Sequence, residues 1–165
     1  MSNCVSCFPS YGYAPTDIAK RLLDSVDWES GDSITPFKLQ TFLFYAQTWS
    51  LVLFQKSLFE EDFIAEVGGK VSLHSFENVI DVHDLDYIAS KGKKIEEREV
   101  LVLVDQVYNY FKDKLNNSMR KEIKISIPWQ NAYYEKQVYN RNGCIKKEDI
   151  YKFFSAIYEI NKQTA

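Results

Sequence analysis

Hydrophobic residues are most densely placed in the stretch from residue 34 to residue 54, which polar residues interrupt at only a few positions. Thr35 is a favourable N-cap, because its hydroxyl can accept a backbone N–H of the first turn, and Pro36 suits the first helical position. Ile34 and Leu39 have the spacing of a hydrophobic staple across this start. A helix that is apolar on most of its sides is usually buried within its domain. The pattern therefore predicts a central helix around which the other elements pack.

Three polar residues stand inside this apolar helix: Lys38, Gln40 and Gln47. One interpretation is that they orient a bound partner. The other is that they form hydrogen bonds within the fold, as buried amides usually do with backbone groups. The pattern leaves both interpretations open.

Apolar residues recur at helical spacing in three further segments. These segments run from Pro15 or Thr16 to about Asp27, from Glu96 to Leu115, and from Lys147 or Glu148 towards the end of the chain. The second segment has acidic residues in its first turn and lysines in its last, which is the charge order that a helix dipole favours. We expect three more amphipathic helices.

The segment between residues 58 and 79 has a mixed pattern. The alternation at Ile64 and Glu66 allows one short extended piece, which Gly68-Gly69-Lys70 ends. Residues 71–79 have apolar positions at a spacing of three and are predicted to form a short helix.

Two later segments are ambiguous. Ile123, Ile125 and Ile127 alternate with polar residues, which predicts a strand, and Pro128 disfavours a helical backbone at Ile127. Residues 129–134 are rich in aromatic side chains and are predicted to form a short helix or a turn.

The predicted fold class is mainly α, and α+β at most. We expect a compact single-domain helical bundle around the central hydrophobic helix, with one short strand pair allowed. The helical domain is predicted to span residues 14–165. Residues 1–13 show no hydrophobic period and contain Pro, Gly and Ser, so we predict a flexible N-terminal tail.

Composition and charge narrow the range of functions. The chain has 165 residues, is 45% hydrophobic and carries a formal net charge of −3. These values suit one folded domain and give no electrostatic reason to expect a nucleic-acid or membrane partner. The first residues lack a basic region followed by an apolar one, so we expect no secretory signal and a cytoplasmic location.

The strongest candidate for chemistry is the acidic run Asp81–Asp86, which contains His83 and follows His74. Two carboxylates and a histidine are able to hold a divalent cation or to act in acid–base catalysis. The spacing matches no ligand motif, and an exposed acidic irregular loop is the preferred interpretation. Because no nucleophile elbow or phosphate-binding loop is present either, the prediction is a protein that is not an enzyme and needs no cofactor or metal.

The chain has three cysteines, and this odd number does not make a disulfide framework. Cys4 and Cys7 have the spacing of half a zinc site or of a redox pair, but a closed zinc site needs four ligands. Two thiols in a tail is the preferred interpretation. Cys144 is expected to lie near a helix start as a small apolar residue.

Aromatic residues make up 15% of the chain, and Trp129, Tyr133 and Tyr134 lie in a region without a strong helical face. Tyr and Trp are favoured in protein interfaces, because they bury a large area at a low cost in entropy. Packing onto their own domain is an equally reasonable interpretation.

The central run and its continuation carry a resemblance to a known family. Residues 34–49 read Ile-Thr-Pro-Phe-Lys-Leu-Gln-Thr-Phe-Leu-Phe-Tyr-Ala-Gln-Thr-Trp, and residues 58–65 read Leu-Phe-Glu-Glu-Asp-Phe-Ile-Ala. Weaker matches lie at residues 17–19, 127–132 and 145–154. Together these residues resemble the Panacea-domain antitoxin family, which includes the SocA-like proteolysis adaptor and the GepA-type phage-associated proteins.

The chain differs from the family pattern in ways that indicate a divergent member. Lys70 stands where the family has a proline in Gly-Pro-Val, Thr41 replaces a second lysine, and Thr48 replaces a glycine. The altered turn at residues 68–70 is where we expect this member to differ most from its relatives.

The resemblance implies a helical binding module without catalytic chemistry that neutralises a toxin by direct binding or by delivering it to a protease. The partner is then a protein toxin, with a protease as a second partner. The candidate residues for partner binding or for clamping the fold are Lys38, Gln40, Gln47, Lys70, Trp129, Tyr133 and Tyr134. The alternative is a phage or mobile-element inhibitor that binds a host protein complex, and the least favoured is a metal-dependent enzyme that uses His74, His83 and the Asp81–Asp86 run.

Overall fold

The computed structural model describes residues 6–164, and this part of the chain contains seven α-helices and one antiparallel pair of strands. The helices are α1 (Pro15–Asp24), α2 (Pro36–Phe54), α3 (Val82–Lys91), α4 (Arg98–Phe111), α5 (Asn116–Ile125), α6 (Ile127–Tyr139) and α7 (Lys147–Thr164). The strands are β1 (Ile64–Glu66) and β2 (Lys70–Ser72), with Ala65 opposite Val71. The mainly α fold with one short strand pair is confirmed.

Helix α2 lies at the centre, as predicted. The Thr35 hydroxyl caps its start by accepting the Lys38 backbone N–H at 3.1 Å, and Pro36 occupies the first helical position. Twelve of its nineteen residues are buried. It packs against α1, α4, α7 and β2. Because α2 has almost no polar face, neighbours must cover most of its surface.

Aromatic rings fill the space between α2 and its neighbours. Tyr45 of α2 stacks on Phe111 of α4 with ring centroids 4.3 Å apart. Phe44 meets Phe63 edge to face at 5.4 Å. Phe154 of α7 approaches both Phe44 and Tyr45 at 6.3 Å. Offset and edge-to-face pairs of this kind add to the free energy gained from burying the rings.

The strand predicted from Ile123, Ile125 and Ile127 is wrong. Ile123 belongs to α5, where it forms a buried face with Met119, four residues earlier. Ile125 is 70% exposed and Ile127 is 52% exposed, so the alternation does not mark one buried face of a sheet. The extended residue Ser126 separates two helices, and α6 already includes Ile127 because Pro128 is tolerated in a first turn.

The acidic run is also not an irregular loop, because residues 82–86 form the first turns of α3. The Asp81 carboxylate accepts the backbone N–H groups of His83 and Asp84, which is the arrangement of an N-cap. The short helix predicted at residues 71–79 is reduced to one 3₁₀ turn at His74–Phe76, since β2 occupies the start of that segment.

The described part of the predicted N-terminal tail, residues 6–13, packs on the domain, so the prediction of a flexible tail is wrong there. The Tyr11 N–H donates to the Ser57 carbonyl at 2.8 Å, and the Tyr13 N–H donates to the Leu58 carbonyl at 3.0 Å. The Phe8 ring lies 5.3 Å from the Tyr151 ring.

Cys4 of the predicted C-x-x-C pair lies outside the described residues. Cys7 donates through its backbone N–H and its thiol to one carboxylate oxygen of Glu148, at 3.1 and 3.3 Å. The hydrogen bond to Glu148 raises the pKa of the Cys7 thiol. Cys144 lies three residues before α7 and forms a bridge to Ile64, which fits the expected place near a helix start.

Within residues 6–164, no helix combines the length and the apolar character that crossing a bilayer requires.

Candidate partner-binding surface

The turn between β1 and β2 is seated directly on α5. Gly68 and Gly69 have φ values of +83° and +74°, a region that other residues adopt at a cost. A Cβ atom at Gly69 would come within 2.3 Å of the Arg120 carbonyl oxygen. On the other side, the Trp129 indole N–H of α6 donates to the Lys70 carbonyl at 2.9 Å. The turn is therefore fixed between α5 and α6.

This seating predicts unequal effects of two neighbouring substitutions. Gly69→Ala should lower the free energy of unfolding by about 2–3 kcal/mol, because a left-handed backbone costs ~1–2 kcal/mol and the methyl group also displaces the backbone of α5. Gly68→Ala has the same backbone cost, but its nearest neighbour is the flexible Arg120 side chain at 3.6 Å, so it should lose only about 1 kcal/mol. Urea unfolding of both variants measures the difference, and equal losses would contradict the close contact.

Three cations surround this turn: Lys70, Arg120 and Lys124, which we call the basic cluster. Lys70 and Lys124 are exposed, and the guanidinium of Arg120 lies 4.6 Å above the Phe37 ring. In the described part of the chain, the ion pairs involve other basic residues, and no carboxylate pairs with a member of the basic cluster. The surface is therefore locally positive although the chain is acidic overall.

Helix α6 is apolar on two opposite sides. Trp129 and Ala132 face the domain and are 6% and 4% exposed. Ile127, Tyr134 and Val138, which we call the α6 stripe, are 52%, 57% and 53% exposed. Their spacing of seven and four residues places them on one face of the helix. This face is the outer one, because it lies opposite the buried side chains.

The start of the α6 stripe lies close to the end of α5, which carries Lys124. Gln130, which lies between Ile127 and Tyr134 along α6, donates its side-chain amide to the Lys124 carbonyl at 2.9 Å. The exposed Ile125 extends the apolar surface towards Lys124. Of the basic cluster, Lys124 is thus the member whose backbone contacts α6 beside the start of the stripe, whereas Lys70 is bonded to Trp129 on the buried face of α6.

The predicted candidate residues divide into two groups. Lys70, Trp129 and Tyr133 come together, since Trp129 is bonded to the Lys70 carbonyl and its ring stacks on that of Tyr133 at 4.7 Å. Tyr134 lies on the outer face of α6. Tyr134 also meets Tyr139 edge to face at 6.0 Å. Trp129 and Tyr133 support the helix, whereas Lys70 and Tyr134 are accessible to a partner.

Gln47 and Gln40 of α2 form hydrogen bonds to backbone groups of the segments that follow the helix. Gln47 is 1% exposed, donates to the Phe59 carbonyl at 2.9 Å and accepts the Leu58 N–H at 2.7 Å. The Gln40 amide oxygen accepts the Leu73 N–H at 2.8 Å. Of the two interpretations of these polar residues, hydrogen bonding within the fold is the one that the contacts fit.

Lys38 also makes a contact within the fold. Its ammonium group donates to the Lys112 carbonyl at the end of α4, at 3.1 Å. Thr41 and Thr48, which differ from the family pattern, donate to the carbonyls of Phe37 and Phe44 in their own helix. Both hydroxyl groups are therefore satisfied inside α2.

The candidate acid–base residues are spread over the surface. The Asp84 carboxylate accepts the backbone N–H groups of Ile80 and Asp81, and these bonds hold the pKa of Asp84 below its ordinary value. His74 lies in the preceding turn and faces Glu77 at 3.1 Å. Within residues 6–164, no group of three His, Cys, Asp or Glu side chains is close enough to hold a metal ion. The Asp81 and Asp84 carboxylates serve the start of α3.

A cleft of about 880 Å³ lies elsewhere, between the N-terminal segment, residues 57–64 and the segment before α7. Its most buried charge, Lys147, is 3% exposed and donates to the Asp62 carboxylate and to the Glu60 carbonyl. The Glu61 carboxylate accepts the Ser75 N–H at 2.8 Å. These charged groups form contacts within the fold, and no local sequence pattern indicates that Lys147 is buried.

Comparison with protein-family models, with curated proteins and with solved structures finds no match to this chain. The geometry itself indicates what the surface can do. An exposed apolar stripe on a helix that already buries another apolar face is suited to holding another macromolecule.

Proposed function

We propose that this chain is a non-catalytic protein-binding module that acts like an antitoxin, neutralising a cognate toxin in the cytoplasm by direct binding or by delivering it to a protease. The observation that carries the proposal is the α6 stripe. Ile127, Tyr134 and Val138 are each more than half exposed, although α6 already buries a different apolar face in the domain.

A helix that needs only one apolar face for its own fold gains nothing from a second one in water. Covering apolar surface stabilises a complex by roughly 25 cal/mol per Å². Tyr134 is suited to the centre of such a contact, because a tyrosine offers a rigid ring and a polar end. Tyr139 supports it at 6.0 Å from the side.

The family resemblance supports the antitoxin part of the proposal. The resembling run lies in α2, whose Gln40 and Gln47 are engaged within the fold. In this account the resembling residues maintain the scaffold, and partner choice belongs to the outer surface. Lys70, which stands where the resembling family has a proline, is an exposed member of the basic cluster at the turn between β1 and β2.

Co-expression with the product of the adjacent reading frame tests this proposal. We expect the neighbouring protein alone to stop growth, and growth to return when this chain is expressed with it. A neighbouring protein that is harmless alone would contradict the antitoxin function. A partner recovered instead from host lysate, and lost with the variant Tyr134→Asp, would favour the inhibitor of a host complex.

A further inference from the structure

We infer that residues 6–13, which we call the N-terminal strap, open and close over the large cleft while the rest of the domain stays folded, and that the contact between Cys7 and Glu148 is the latch of the strap. The cleft of about 880 Å³ is lined in part by four residues of the strap: Ser6, Phe8, Pro9 and Ser10. Movement of the strap therefore controls access to the cleft. The inference concerns a different part of the molecule from the α6 stripe and is independent of the proposed function.

The walls of the cleft that face the strap are fixed by β1. The Ala65 N–H donates to the Gly143 carbonyl at 2.9 Å, and the Ile145 N–H donates to the Phe63 carbonyl at 2.8 Å, so the segment before α7 is paired with β1. Ala65 and Ile145 are fully buried. By contrast, none of residues 6–13 is fully buried. The strap is therefore the wall that can move without disturbing the core.

The strap is attached by contacts at the edge of the domain. The Ser57 N–H donates to the Pro9 carbonyl at 2.9 Å. The rings of Phe8, Tyr11 and Tyr13 pack against the core but are only partly buried. A segment with few buried apolar contacts opens at a lower free energy than the whole domain. Opening is further favoured because the freed backbone regains conformational entropy.

Cys7 ties the strap to the start of α7. One carboxylate oxygen of Glu148 accepts both the backbone N–H and the thiol of Cys7, and hydrogen bonds to a charged acceptor are stronger than those between neutral groups. Because this contact raises the pKa of the Cys7 thiol, the thiol keeps its proton at neutral pH and continues to donate. Cys7 is exposed, so breaking the contact uncovers no apolar core.

Amide hydrogen exchange of the full chain, followed by NMR, tests the inference at two neighbouring residues. The Ser57 N–H is bonded to the strap, whereas the Leu58 N–H is bonded to the Gln47 side chain inside the domain. The protection factor of Ser57 should be about a hundredfold lower than that of Leu58, since local opening costs less than global unfolding. Equal protection of the two amides would show that the strap opens only when the domain unfolds, and would overturn the inference.

The variant Glu148→Ala tests the latch. It should lower the protection factor of Ser57 by a further factor of about ten and leave that of Leu58 unchanged. Asp149→Ala is the matched control, because Asp149 also lies in the first turn of α7, and it should change neither amide. The same loss at Ser57 in both variants would contradict the latch, and an equal loss at Leu58 in Glu148→Ala would contradict independent opening.

Tyr11→Phe gives a second measurement that leaves α7 unaltered. It removes the hydrogen bond from the Tyr11 hydroxyl to the Glu99 carboxylate, which is 3.1 Å long. The protection factor of Ser57 should fall about threefold, while that of Leu58 stays the same. A fall of equal size at both amides would mean that the strap and the domain open together, which the inference excludes.

Discussion

Replacing Asp62 by alanine should lower the free energy of unfolding by about 3–5 kcal/mol, because it leaves the ammonium group of Lys147 buried without its carboxylate. Lys147 is 3% exposed at the first position of α7, and its remaining acceptor is the Glu60 carbonyl. The side chain is almost fully covered at the start of α7, which packs on α2. Chemical unfolding of the wild type and the variant measures the loss.

Two further variants provide the control. Asp24→Ala removes a carboxylate from an exposed pair with Lys20, and should cost less than about 1 kcal/mol. Asp62→Leu combined with Lys147→Met removes both charges and should recover much of the stability lost in Asp62→Ala, since an apolar pair needs no hydration. A loss in Asp62→Ala no larger than in Asp24→Ala would contradict the burial of Lys147.

Gln47→Ala should lower the free energy of unfolding by a similar amount, about 3–5 kcal/mol. The change removes both partners of the backbone groups at Leu58 and Phe59, and each buried group without a partner costs about 1–3 kcal/mol. Both residues are fully buried, so water does not replace the lost bonds. Thermal unfolding should show a fall in Tm of roughly 10 °C for a domain of this size.

Gln40→Ala is the matched control for Gln47→Ala. Gln40 lies in the same helix, but it is only half-buried and accepts a single backbone N–H, from Leu73. It should therefore lose about 1 kcal/mol. If Gln40→Ala proved as destabilising as Gln47→Ala, the two hydrogen bonds of Gln47 to Leu58 and Phe59 would not explain the stability of the segment after α2.

The helices that the sequence predicted well are those with complete local signals. Helix α2 has its cap, its proline and its long apolar run, and α7 begins at Lys147 as predicted. The error at Ile123, Ile125 and Ile127 had a physical cause. Two exposed isoleucines next to a buried one imitate the period of a strand, and the break at Ser126 between two helices is too short to show in the pattern.

The same error hid half of the candidate surface. If residues 127–139 are treated as a helix, Ile127, Tyr134 and Val138 fall on one face. This spacing can be recognised in the sequence alone. Of the residues singled out, Lys70 and Trp129 are joined by a hydrogen bond, whereas Tyr134 lies on the outer face of α6. The place of Arg120 and Lys124 beside Lys70 depends on how the turn packs on α5, a long-range contact that local patterns do not contain.

The central claim is that the partner docks on the outer face of α6. The most direct test is to measure whether the variant Tyr134→Asp still restores growth. Tyr134 and Ile160 are 57% and 60% exposed, so Tyr134→Asp and the control Ile160→Asp in α7 should each change stability by no more than about 0.5 kcal/mol. In co-expression with the neighbouring toxin, we predict that Ile160→Asp restores growth like the wild type and that Tyr134→Asp, equally abundant and folded, does not. Full rescue by Tyr134→Asp would contradict the claim.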